Sequence, residues 1–308
     1  MEILSGVVTA VLSGLINGTI YGLIGLGIVL IFKSQRVINF AQGEFATTAA
    51  FVLYLLTSVY DLRERLPFGA LGGYLIAVLA AIVAAVMLAI LVERIVVRPL
   101  RGSPDVTVFV ATAGVGLFII AVTLLLVGPN ILIVDPMLPK WEEWFAQRGQ
   151  LGLVSPQRLF VFGVFIASAA GLALFFSRTA LGRAVLAMSS EPFAVRLAGI
   201  STERMSILVW GMAGLISGAA GVAFIGTTAL TPGFFTSIAL IPALTAVVIG
   251  GLTSLPGAFA GGLLIGLVQA FASQFVPATI PEPGTIAVFL ILLLTLLLRP
   301  QGLLAKEA

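Results

Sequence analysis

Long apolar runs alternate with short polar stretches along the whole chain. The runs cover about residues 7–32, 38–59, 70–93, 105–128, 159–177, 207–229, 237–252, 257–276 and 285–298. Most of them approach the roughly 20 residues that a helix needs to cross a bilayer, and none shows the alternation of a transmembrane β-strand. The pattern predicts an all-α polytopic membrane protein with about 8–10 membrane segments. The seventh and ninth runs are short enough to be tilted, re-entrant or part of a broken helix.

The basic residues predict the orientation. If successive polar stretches face alternate sides of the membrane, starting with the N-terminus outside, most of the 16 basic residues fall on one side. That side holds Lys33, Arg36, Arg94, Arg98, Arg101, Arg178, Arg183, Arg196, Arg204, Arg299 and Lys306, and the other holds Arg63, Arg65, Lys140, Arg148 and Arg158. Because cytoplasmic loops are enriched in Lys and Arg, the C-terminus is expected in the cytoplasm. Residues 1–308 then form a single transmembrane domain, with a retained first span, an outer loop at 129–158 and a cytoplasmic loop at 178–206.

Composition supports this class and excludes several others. Hydrophobic residues make up 60% of the chain and charged residues 9%, whereas soluble proteins have about 25% charged residues. The absence of Cys and His removes disulfides, Cys/His metal sites and thiol or imidazole chemistry, and no cofactor is predicted. The basic residues are scattered rather than gathered in one patch, so no nucleic-acid partner is expected. None of the three lysines, Lys33, Lys140 and Lys306, follows a glycine as in an ATP-binding phosphate loop, and the chain is not expected to be an enzyme.

One polar stretch, RVINFAQGEF (Arg36–Phe45), stands within the apolar pattern. It brings Asn39, Gln42 and Glu44 close together, and Glu44 is the one acidic residue placed inside a predicted segment. The stretch is either the start of a helix at Asn39, with Glu44 near the positive end of the helix dipole, or a polar girdle at the inner end of a solute path. Ion-coupled carriers usually need paired buried charges, which the sequence does not offer.

Further polar and small residues lie inside the apolar runs. Asn17 and Gln269 are candidates for the same path, although an isolated amide in a membrane helix more often bonds to a neighbouring helix. Gly214, Gly218 and Gly221 lie in GMAGLISGAAGVAFIG (Gly211–Gly226). Small residues at helical spacing allow close helix packing in lipid.

The loop at 178–206 contains a short amphipathic pattern. Phe193, Leu197 and Ile200 are spaced as one apolar stripe of a helix, and Gly199 is a natural stop for it. The helix is either a plain connector at the membrane face or a knob that docks into a soluble partner.

Several of these stretches together resemble one family. GLINGTIYGLIGLGIVLIFKSQRVINFAQGEF (Gly14–Phe45), EPFAVRLAGISTERM (Glu191–Met205), GGLTSLPGAFAGGLLIG (Gly250–Gly266) and RPQGLL (Arg299–Leu304) are similar to the LivH-type permease subunits of branched-chain amino acid ABC importers. The resemblance spans nearly the whole chain. Gln42 departs from the histidine that the family often carries, which argues against a titrating switch there.

The resemblance implies the ABC importer permease fold and a bacterial or archaeal inner membrane. The implied partners are a second related permease, two cytoplasmic ABC ATPases and an extracytoplasmic solute-binding protein, which the outer loop at Trp141–Trp144 would meet. It implies coupling to the ATPases through the helix at 191–200, with contacts assigned to Glu191, Phe193, Arg196, Leu197 and Gly199. The solute would be a branched-chain or related amino acid. Alternatives are a same-family permease for urea, amides, sugars or other small solutes, and a self-sufficient carrier or channel.

Overall fold

The computed structural model describes residues 2–65, 69–134, 156–190, 192–227, 229–277 and 279–298. Within these ranges the chain is helical, apart from its connections. The helices are α1 (Glu2–Gln35), α2 (Gln42–Tyr54), α3 (Leu62–Arg65), α4 (Gly69–Val92), α5 (Asp105–Val127), α6 (Pro156–Arg178), α7 (Ala180–Ser190), α8 (Pro192–Leu197), α9 (Thr202–Ile225), α10 (Phe234–Gly250), α11 (Leu255–Phe275) and α12 (Pro283–Leu298). Single π-helical turns, Leu55–Val59 and Glu93–Val97, extend α2 and α4.

Every predicted apolar run coincides with a helix. Within the described residues, six helices are long and apolar enough to cross a membrane: α1, α4 with its π turn, α5, α6, α9 and α11. Helices α10 and α12 are apolar but shorter. The all-helical membrane class is therefore confirmed, whereas the number of crossings and the orientation stay predictions.

Helices α1 and α11 pack backbone against backbone. A Cβ atom added to Gly14 would lie 2.8 Å from the Cα of Leu267, and one added to Gly18 would lie 2.8 Å from the carbonyl oxygen of Gly262. Gly266 meets the backbone of α1 in the same way. Without side chains in the seam, the two helices approach more closely than larger residues would allow.

Helix α9 packs through its own small residues. A Cβ on Gly214 would lie 2.7 Å from the Cβ of Ala89, and one on Gly218 would lie 2.9 Å from the Cβ of Ala85, both on α4. Gly221 faces the backbone of Ala46 on α2. This helix therefore holds α4 and α2 together from the centre of the bundle.

Two helices begin in the interior of the bundle. Ala41, just before α2, lies against Gly116 of α5, which is about 16 Å along α5 from its start at Asp105. Gly233, just before α10, lies against Ile120 of α5, about 10 Å from the C-terminal end of α5. Non-helical backbone is tolerated at membrane depth only where protein surrounds it, so α2 and α10 are broken segments whose starts are enclosed by the bundle.

The starts of α2 and α10 touch. A Cβ on Gly43 would lie 2.6 Å from Oγ1, 2.8 Å from the backbone N and 2.9 Å from the Cα of Thr236. Gly233 precedes α10 in the left-handed conformation at φ 72°, which a glycine adopts at no steric cost. The first turns of two helices therefore meet at one point inside the bundle.

Candidate translocation and coupling sites

A polar cluster surrounds the start of α2. The side-chain amide of Gln42 donates to the Oγ of Ser217 (2.7 Å) and to the carbonyl oxygen of Ala213 (3.2 Å), and it accepts from the amide of Asn39 (3.0 Å). Asn39 and Gln42 are fully buried. Buried polar groups need such partners, and these bonds join α2 to α9.

This cluster differs from the sequence expectation in two ways. Helix α2 begins at Gln42 and not at Asn39, and Asn39 instead accepts from the backbone N–H of Ala41 (3.0 Å) in the turn before the helix. The amide of Gln42 also lies against Gly27 of α1, about 12 Å along that helix from its end at Gln35. The polar residues therefore lie about two helical turns into the bundle from the end of α1.

Glu44 is the unusual member of the cluster. It is fully buried, its carboxyl group lies close to the hydroxyls of Thr47 and Thr236, and neither oxygen has a well-formed hydrogen bond among the described residues. The hydroxyl of the nearby Thr236 also lacks one. Glu44 lies in the first turn of α2, beside the place where that turn meets the start of α10. Each helix N-terminus carries a partial positive charge, and two such ends converge beside this side chain.

The other two path candidates lie elsewhere. Gln269 on α11 is half-buried and accepts a hydrogen bond from the hydroxyl of Tyr21 on α1. Asn17 is half-buried on α1. The structure thus brings together three of the five candidates, Asn39, Gln42 and Glu44, and it places Gln269 as a link between helices.

Replacement of Gln42 by leucine should lower the free energy of unfolding by about 2–4 kcal/mol, since three interhelical or local bonds are lost and their partners stay buried. Thermal unfolding in detergent, followed by size-exclusion fluorescence, measures the change. Ser217→Ala should cost less, and the double variant should cost less than the sum of the two. A Gln42→Leu protein with unchanged stability and altered solute selectivity would instead assign Gln42 to the path.

Helix α8 presents two apolar side chains to the outside. Phe193 is 66% exposed and Leu197 is 75% exposed, whereas Val195 between them is 5% exposed. The helix ends at Leu197, and Ile200 lies beyond it, packed against the core with its N–H bonded to the carbonyl of Val195 (3.2 Å). The predicted three-residue stripe is therefore wrong at Ile200.

The structure describes only some of the remaining residues of the predicted coupling and contact sites. Gly199 follows α8 in the left-handed conformation at φ 77°. Glu191, the side chain of Arg196, the outer segment Trp141–Trp144 and the C-terminal Arg299–Leu304 lie outside the described residues.

Sequence reasoning overlooked a buried acid at the end of α4. Glu93 is fully buried in the π turn, and its two oxygens bind Arg101 (2.6 Å) and Arg98 (3.0 Å). Ser206 of α9 donates to the same carboxylate (2.7 Å). Arg98 also pairs with Glu203 (3.2 Å), in the first turn of α9. The run ERIVVRPLR, with arginines five and eight residues after the acid, was the available signal.

Hydrogen bonds extend from this ionic group toward the polar cluster of Asn39, Gln42 and Glu44 (the deep cluster). Ser206 accepts from the side-chain amide of Gln35 (2.6 Å), and the oxygen of Gln35 accepts from the indole N–H of Trp210 (3.2 Å). The ring of Trp210 packs edge-on against Phe45 of α2, next to Glu44. The beginning of α9, which follows α8, is thus linked to the start of α2 by contiguous contacts.

Replacement of Glu93 by glutamine should destabilise the protein by about 1–3 kcal/mol. Breaking a fully buried pair costs about 3–5 kcal/mol, and the cost is smaller here because the two arginines are 23% and 36% exposed and can be hydrated. The effect should shrink in high salt. Glu203→Gln is the matched control, since that carboxylate is 63% exposed and its removal should cost less than 1 kcal/mol or so.

Comparisons with known proteins identify a family for this chain. The family described as the permease component of branched-chain amino acid transport systems matches residues 10–298. The chain is 28% identical to the permease protein BraD of Pseudomonas aeruginosa and 25% identical to LivH of Escherichia coli K12, over 96% of this chain and 94% of each relative. Among solved structures it is similar to PsaBC of Streptococcus pneumoniae in complex with a Fab (TM-score 0.47, 14% identity, 95% of this chain and 91% of that chain).

The family match covers almost the whole chain, and the helices found in the structure account for its membrane character. The resemblance noted in the sequence is thereby confirmed. The chain belongs to the permease family of branched-chain amino acid transport systems, and it is a membrane-spanning transport subunit of an ABC importer, not an enzyme.

Proposed function

We propose that this chain and a second, related permease form the translocation path for a branched-chain or related amino acid in the inner membrane. Two ATPases bind on the cytoplasmic side, which is the side of α8 and carries most of the basic residues. A solute-binding protein delivers the amino acid on the other side. The observation that carries the proposal is the family match over residues 10–298.

Helix α8 is the coupling element in this proposal. Exposed Phe193 and Leu197 on a short helix between α7 and α9 suit a hydrophobic cleft on an ATPase, because apolar anchors dominate protein interfaces. Contacts continue from the start of α9 through Trp210 of the same helix to Phe45 of α2. They support a route by which movement of α8 reaches α2. Glu191, Arg196 and Gly199 are proposed to complete the coupling site.

The deep cluster has a positioning role in the same proposal. Asn39 and Gln42 hold the interior start of α2 against α9, and Glu44 lies where α2 meets α10. Helix α2 moves with its neighbours when the subunits change state. Because the cluster is closed and fully buried in the single chain, solute selectivity belongs to the binding protein and to the surface between the two permeases.

Reconstitution tests the proposal. The four kinds of subunit are co-expressed, purified and placed in proteoliposomes with ATP inside, and uptake of radiolabelled leucine is measured with the binding protein outside. We expect uptake that needs both ATP and the binding protein. Competition by urea or fructose instead of isoleucine would point to another solute class, and leucine movement by the purified chain alone without ATP would contradict an importer subunit.

A further inference from the structure

A cleft of about 600 Å³ opens beside the base of the coupling loop. It lies between the end of α1, the turn after α4, the start of α5, the end of α7 and the start of α9. Its volume falls within the roughly 300–1,000 Å³ typical of small-molecule sites. The deep cluster around Gln42 does not line it.

The cleft contains one unpaired charge of each sign. Arg36 and Asp105 both line it and are exposed, and the described part of the chain offers neither of them an ion pair. The third charged residue of the lining, Arg101, is paired with Glu93. A ligand that carries one carboxylate and one ammonium group would therefore satisfy both free charges.

The rest of the wall mixes aliphatic and polar side chains. Its aliphatic part consists of Val37, Val97, Leu100, Val108 and Met188. Its polar part, besides Arg36 and Asp105, consists of Ser34, Gln35, Arg101, Ser103, Thr202 and Ser206. Apolar walls with a few polar groups that fix the orientation are the usual pattern of a small-molecule site. The aliphatic part of this wall can contact a short aliphatic side chain of a ligand.

We propose that this cleft binds the imported amino acid on the cytoplasmic side, as a zwitterion with an aliphatic side chain. The guanidinium of Arg36 holds its carboxylate, Asp105 holds its ammonium group, and the valines contact its side chain. Thr202 and Ser206 of the cleft belong to the first turns of α9, directly after α8, so occupancy restrains the coupling element and slows import when product accumulates. This inference rests on the proposed function, because it takes the solute to be an amino acid.

A phosphate group, from a lipid or free in solution, is the competing ligand for a basic cleft. Asp105 disfavours it, because a carboxylate beside the site repels a second anion. A phosphate would also leave the carboxylate of Asp105 without a partner, whereas an amino acid pairs with both free charges.

Two variants test the site in the complete complex. Arg36→Asn removes the guanidinium and suits the left-handed backbone of residue 36 (φ 60°), and Asp105→Asn removes the opposite charge. Arg94→Gln is the control, because it removes an exposed positive charge outside the cleft. Binding of radiolabelled leucine is measured on the purified permease–ATPase complex without the binding protein. We expect saturable binding that weakens about tenfold or more in each cleft variant and is unchanged in the control.

Transport gives an independent readout. ATP-driven uptake is compared between proteoliposomes that are empty and those preloaded with unlabelled leucine, and the ratio is taken for each protein. Preloading should slow the wild type and the control but not the cleft variants. Equal binding by wild type and cleft variants, or binding of phosphate but not leucine, would overturn the inference. If the wild type shows no uptake into empty vesicles, the proposed function is contradicted. If the wild type shows normal uptake that preloading leaves unchanged, only the proposed site is overturned.

Discussion

Phe193→Glu should reduce ATP-driven uptake about 30-fold or more, to the background of vesicles without ATP, while the chain still inserts and folds. An apolar anchor at the centre of an interface contributes about 2 kcal/mol or more, and the variant would also bury an unpaired carboxylate against the partner. Since Phe193 is 66% exposed in the single chain, its loss removes little internal packing. The expected defect is therefore in docking rather than in stability.

The measurement combines uptake with co-purification of the ATPases on a tagged permease. Leu197→Glu should behave like Phe193→Glu, because both side chains are exposed on α8. Phe193→Leu is the conservative control and should keep most of the uptake. Normal transport by both glutamate variants would rule out α8 as the coupling element, and loss of folded protein in both would show that the side chains serve the bundle.

Gly43→Ala should destabilise the bundle by about 1–3 kcal/mol or more and reduce transport with it. The new methyl group would meet the backbone N of Thr236 at 2.8 Å and its Cα at 2.9 Å, and a backbone clash cannot be relieved by a change of rotamer. The starts of α2 and α10 would have to separate. That separation would disturb Glu44, which lies in the same first turn of α2.

Gly114→Ala is the matched control. A Cβ atom at Gly114 would meet nothing within 4 Å, and alanine is the better helix former. Thermal unfolding of both variants in the same detergent gives the comparison. If Gly43→Ala proves as stable as Gly114→Ala, the contact between the two helix starts is looser than the structure indicates.

The helices of this fold could be predicted from the sequence because their signal is local. A run such as 70–93 contains enough apolar residues to need lipid whatever surrounds it, and the helix found there begins at Gly69. The short run at 237–252 allows a tilted, a re-entrant or a broken helix for the same reason. The existence of these helices followed from composition without knowledge of neighbours, whereas boundaries such as the start of α2 at Gln42 did not.

The polar cluster could be located only in part. Asn39, Gln42 and Glu44 stand out against apolar neighbours, but their depth depends on a non-helical segment after α1, which no periodicity reveals. The partners of Gln42 lie on α9, 171 and 175 residues away. Glu93 was missed because an acid between an apolar run and several arginines has the pattern of a membrane boundary, while its burial depends on a π turn and on Ser206.

The interior start of α2 has a consequence for how the protein is made. During synthesis α2 emerges with Gln42 and Glu44 uncovered, and polar groups of this kind are costly in lipid. The residues that satisfy Gln42 belong to α9 and are translated only after 171 further residues. Helix α2 therefore has to wait beside α1, within the insertion machinery or a water-filled groove, until the second half of the chain arrives. Ribosome-stalled chains that end before α9 should leave α2 accessible to water-soluble labels, and chains that extend past α10 should protect it.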